Sequence, residues 1–160
     1  IIRGSKVRAL LGPLKASLKK EAFFIFIVMK ESWIEKFNQP KEMIIKVLEK
    51  DFSDMKAGEV MLIATPKIID EYINHVPKSY VTDVKTMRKD LAFTYQADVT
   101  CPVTTGIFLR VVSEASFEKI ILGEKNPTPF WRVVDPKSNL AKKLACGSKF
   151  IRDMRALEAD

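Results

Sequence analysis

From Val60 onward the spacing of apolar residues changes from segment to segment, and each change predicts an element. Val60–Ala64 is an unbroken apolar run, which predicts a short buried strand. Thr65-Pro66 then supplies an N-cap followed by proline at the first helical position. Ile68, Ile69, Tyr72, Ile73 and Val76 continue as a helical stripe that Pro77 ends. Asp83 caps a second helix bearing Val84, Met87 and Leu91. After a polar loop, Pro102 opens a third, whose expected apolar face is Ile107, Phe108, Val111 and Ala115. Pro129–Val134 predicts a strand with Phe130 and Trp131 on opposite faces, and Asp135–Asn139 a turn. Phe150, Ile151, Met154 and Leu157 mark a closing helix.

Upstream, Ser32 can cap a short helix carrying Trp33, Ile34 and Phe37. Pro40 stops it and suits the start of another, with Met43, Ile44, Val47 and Leu48 on one face. Asp51–Glu59, containing Gly58, is the expected linker. It divides residues 1–58, a basic stretch with a helical extension, from a main domain over 59–160. The order predicts a mainly α fold: a winged helix-turn-helix domain with a small β-wing, preceded by an N-terminal helical segment. The third helix would enter the major groove of DNA.

Charge changes this picture little. The 160-residue chain carries a net charge of +7. Arg3, Lys6, Arg8, Lys15, Lys19 and Lys20 account for most of it, and without those six the 27 basic residues fall to 21 against 20 acidic. DNA affinity must therefore come from a local patch. Cys101 and Cys146 are too few for a disulfide framework, so an intracellular, cytoplasmic protein with free thiols is expected. With His75 the only histidine, no metal site and no cofactor is expected. The apolar stretch Ala22–Val28 is much shorter than the roughly 20 residues that span a bilayer, so no membrane partner is expected. Residues 1–28 read either as an acid-poor presequence or as an extension upstream of a start at Met29, and the second is the simpler reading.

One run carries a resemblance. Pro129-Phe130-Trp131-Arg132-Val133-Val134 resembles the Pro-Cys-His-Arg-Val active-site motif of the O6-alkylguanine-DNA alkyltransferases. Val76-Pro77, Thr82–Met87 and Asn126-Pro127 are similar to flanking motifs of that family, in the same order. In the family a thiolate activated by the adjacent histidine accepts the alkyl group. Here Phe130 stands at the cysteine and Trp131 at the histidine, so the resemblance implies no catalytic residue. It is nearer to the alkyltransferase-like proteins, which lack the acceptor and sense alkylated guanine for DNA repair. The family's base-displacing arginine is also absent, with Thr104-Thr105-Gly106 in its place.

The partners so implied are double-stranded DNA, undamaged or alkylated, and a repair protein. The expected DNA contacts are Lys85 and Arg88 in the second helix, with Lys89 beside them, and Thr104, Thr105, Gly106, Arg110 and Ser113 on the third. Arg132 follows on the motif, then Lys137, Lys142 and Lys143 around the wing. Pro129, Phe130 and Trp131 are the expected lesion pocket. Two other readings compete. A winged helix can serve protein–protein contacts alone, and Cys101, at a helix N-terminus, could support a thiol-dependent activity if folding brought His75 to it.

Overall fold

The computed structural model describes residues 31–159; the expectations for residues 1–30, including Met29, lie outside them. The chain folds as a mainly α protein with a small sheet. Helix α1 (Trp33–Asn38) starts with a capping box between Ser32 and Glu35. Helix α2 (Pro66–His75) begins at Thr65, whose side chain accepts from the Ile68 N–H. Helix α3 (Val84–Thr94) begins at Asp83, which accepts from Thr86. That backbone hydrogen bond holds the Asp83 carboxyl below the usual carboxylate range. These starts follow the sequence because a cap reaches only three residues ahead.

The strands are less local. Ile44–Val47 is a strand, β1, and not the expected helix. Met43, Ile44, Val47 and Leu48 suit either period over so short a run, and pairing decided the matter. Strand β1 lies antiparallel to β2 (Val60–Ile63), which runs parallel to β3 (Val99–Thr100). The expected linker is therefore the loop between two paired strands. Gly58 closes it at φ +90°, a backbone state that favours glycine, donating to the Leu48 carbonyl over 2.8 Å. Helix α1 packs on the long helix α4 (Pro102–Leu122), so residues 31–58 are built onto the rest of the fold.

Helix α4 runs through the centre. Leu109, Val112, Ala115, Phe117 and Ile120 are buried, whereas Ile107 is half exposed, so the buried face is rotated from the expected one. Gly123 ends the helix in the left-handed conformation.

The segment after α4 departs most from expectation. Phe130–Arg132 is a single 3-10 turn and not a strand. Asp135 accepts from the Lys137 N–H and Ser138 caps a short helix, α5 (Asn139–Lys143), where the β-wing was expected. No strand follows Thr100 among the described residues. Helix α6 (Gly147–Ala159) closes the fold through Phe150, Ile151 and Met154. Phe130 and Trp131 meet edge to face, ring centres 5.5 Å apart, and both pack on Phe150. No helix among the described residues is long and apolar enough to cross a membrane.

Candidate nucleic-acid interface

The expected DNA-contacting residues fall into two groups, and burial separates them. Thr105 and Ser113 are buried in α4, each donating its hydroxyl to the carbonyl four residues back, Cys101 and Leu109 respectively. Neither reaches a surface. The helix is rotated so that Leu109 and Val112 fill the core, which carries Ser113 inward with them.

Arg132 is also withdrawn. Its side chain is only 12% exposed and pairs with Glu158 of α6. It donates from Nε at 2.9 Å and from Nη2 at 2.7 Å, and its remaining terminus, Nη1, donates to the Val76 carbonyl. Although burial acts to raise it, the Glu158 carboxyl is held below its ordinary range by the Arg132 guanidinium. The Trp131 indole N–H faces the same carboxylate without reaching hydrogen-bond geometry. Arg155 donates to the Trp131 and Val134 carbonyls, and the Thr82 N–H to that of Arg132. This network fixes the 3-10 turn to α6 and the α2–α3 connection. Its role is structural.

The expected lesion pocket closes for the same reason. Pro129, Phe130 and Trp131 are all buried, with Phe130 and Trp131 at 0% and 1% exposure. A turn sends both rings into one core, where strand alternation would have left one facing outward. An open apolar groove of about 320 Å³ lies nearby, lined by Tyr72, His75, Val76, Pro77, Tyr80 and Thr82 among others. The Tyr72 hydroxyl donates to Asp90, and burial with that carboxylate pushes its pKa up to about 12.

The surface that remains centres on the first turns of α4. Thr100 and Arg88 exchange two 2.8 Å hydrogen bonds, Arg88 Nε to the Thr100 carbonyl and the Thr100 hydroxyl to the Arg88 carbonyl. They set the start of α4 beside α3. Arg88 also forms a bidentate pair with Asp54, which holds that carboxyl below its usual range, so its charge is spent within the fold. Its neighbours Lys85 and Lys89 are exposed.

Cys101, the N-cap of α4, provides no side-chain cap hydrogen bond, and Pro102 follows it. The next N–H groups of the helix are left without a side-chain acceptor, in the positive end of the helix dipole. Val103, Gly106 and Ile107 are exposed above them and Thr104 is half-buried. A Cβ built at Gly106 would meet nothing within 4 Å. The packing of this chain therefore gives no reason for glycine there, although glycine costs roughly 0.5–1 kcal/mol against alanine inside a helix.

Arg110 bounds this face. Its side chain is 43% exposed, 3.8 Å from Glu114 and 5.3 Å over the Trp33 ring, with Nε buried and unpartnered. Burial raises the pKa of Glu114, which accepts from the Ala145 N–H and so ties the end of α5 one turn from Arg110. Lys142 and Lys143 are exposed on that helix, and Lys137 on the turn before it. Glu114 and Glu158 were missed as partners for these arginines. For both the signal was present: Glu114 follows Arg110 by four residues on one helix, and Glu158 continues the Ile151, Met154 stripe.

The thiol reading gains no geometry. Cys101 is buried with Leu48, Met55 and Met61, while His75 lines the separate groove. No group of metal-ligating side chains occurs among the described residues. No protein-family model, curated protein or solved structure matches the chain.

Proposed function

We propose that this chain is a non-catalytic DNA-binding protein that docks the first turns of α4 against duplex DNA. In this reading α3 and α4 are the helix pair of a helix-turn-helix-type module that resembles the alkyltransferase-like proteins in its motifs, with the short helix α5 in place of the wing. The observation that carries the proposal is Gly106, exposed in open space on an uncapped helix start. A glycine that costs stability and serves no internal packing fits a site where a phosphate backbone comes close. Free N–H groups at a helix start suit an anion. Exposed Lys85 and Lys89 lie on α3, which Arg88 ties to that start, and Arg110 lies one turn beyond Gly106. Lys142 and Lys143 are exposed on α5, which meets α4 farther along at Glu114. Contact would be mostly electrostatic, because no deep base-reading arginine projects from this face.

A second reading is favoured by one specific feature. Val103 and Ile107 leave an apolar step on the same face, which suits a protein partner, such as a repair factor, better than phosphate.

Titrating the full chain against a labelled duplex over a salt series separates the two. Neutralising about four phosphates gives a log–log slope near −3.6. Lys85→Ala with Lys89→Ala should flatten it, and absence of binding at low salt would favour the protein partner. Paired duplexes with and without one O6-alkylguanine test lesion preference. Equal affinity is expected, because Phe130 and Trp131 offer no opening for an extruded base.

A further inference from the structure

Among the described residues strand β1 is the edge of the sheet, and its register shows which backbone groups it leaves unused there. The Leu48 N–H donates to the Glu59 carbonyl over 2.9 Å. Lys46 and Ile44, opposite Met61 and Ile63, therefore exchange the alternate ladder bonds with β2. The N–H and C=O groups of Ile45 and Val47 point away from the sheet. Those two side chains are 45% and 59% exposed, with Met43 beside them at 39%. Exposed apolar edges of this kind are usually blunted. The one charge within β1, Lys46, leaves by the other face.

We infer that β1 pairs with β1 of a second copy of this chain, antiparallel about a twofold axis at Ile45. Outward-pointing residues can pair only with outward-pointing residues, which leaves few registers. An axis at Lys46 sets two lysines directly opposite each other. An axis at Ile44 places Val47 across from Lys41 and draws Pro40 toward the ladder, where its missing N–H cannot contribute. The axis at Ile45 sets Ile45 on Ile45 and Met43 on Val47 twice, and brings Lys41 and Glu49, which lie just beyond the two ends of the strand, toward each other twice. Lys46 then lies across from Ile44. Apolar and opposite-charge cross-strand pairs are both favourable, and the isologous arrangement doubles each one. The face is also closed by the pairing, so a dimer and not a filament results. A ribbon this short buries less than the roughly 1,000 Å² of a stable interface, so the dimer is weak.

Sedimentation velocity on the full chain, from about 10 μM to about 1 mM, reads this directly. The expected result is a reversible rise toward the dimer mass. Ile45→Pro removes an outward N–H and no β1–β2 bond, and should abolish the rise. If that variant does not fold, Ile45→Lys puts two lysines on the axis at an exposed position and should do the same. Lys41→Glu and Glu49→Lys should each weaken the dimer by about tenfold, and the double variant should restore it. A monomer throughout overturns the inference. So does a dimer indifferent to both Ile45 variants, or one that the double charge swap leaves as weak as either single variant.

Discussion

Arg132 and Glu158, 26 residues apart in the chain, meet as a bidentate pair across α6 and the 3-10 turn that carries Phe130 and Trp131. An arginine expected to touch DNA therefore holds the protein's own core motif in place. Breaking one side of a buried pair leaves the other charge without compensation. Glu158→Gln should destabilise the fold by about 3 kcal/mol in urea unfolding. Arg132→Met with Glu158→Leu should recover most of that loss, as apolar replacement of a whole pair does. A loss under 0.5 kcal/mol for Glu158→Gln would remove the pair from its structural role.

The same pair gives a pH dependence with a definite sign. The Glu158 pKa is lower in the folded chain than its ordinary value of 4.5. Its stabilising contribution is complete above that value and fades as pH falls through the folded pKa. Stability measured from pH 6 down to pH 3 should fall less steeply in the Arg132→Met, Glu158→Leu variant than in the parent.

Gly106→Ala separates folding from binding. The site is helical and open, so alanine should stabilise the protein by about 0.5–1 kcal/mol. If a phosphate backbone approaches there, the same methyl group should weaken duplex binding several-fold. Higher stability with unchanged DNA affinity would place the contact elsewhere on the surface.

Phe130→Ala tests whether the motif aromatic is core or pocket. At 0% exposure and packed on Trp131 and Phe150, its truncation should cost about 3–5 kcal/mol. Measured below the unfolding midpoint, duplex affinity should change little. A stable variant with lost DNA affinity would return Phe130 to the binding site.

Thiol accessibility bears on the competing enzymatic reading. Burial, followed by the Glu114 charge, pushes the Cys146 pKa to about 12. Cys101 is 5% exposed in its apolar cluster. At pH 7.4 both should react with a thiol reagent far more slowly in the native protein than in urea. Rapid native labelling of Cys101 would revive the thiol-dependent activity.

The sequence by itself determined the starts of α1, α2, α3 and α4. Ser32, Thr65, Asp83 and the Thr65-Pro66 and Cys101-Pro102 steps act within one turn of chain, and no distant residue is needed to read them. It also determined that α6 buries Phe150, Ile151 and Met154, because a long regular stripe admits one solution. Tertiary structure decided what such rules cannot reach. Ile44–Val47 became a strand because β2 was there to pair with it, and Phe130–Arg132 became a turn because Glu158 and Arg155 held its charges and carbonyls. It decided the candidate interface in the same way. Arg88 and Arg132 read like any other arginine along the chain, yet carboxylates brought by folding, Asp54 and Glu158, engage them. A cation's availability depends on where its counter-charge lands, and only the folded chain fixes that distance.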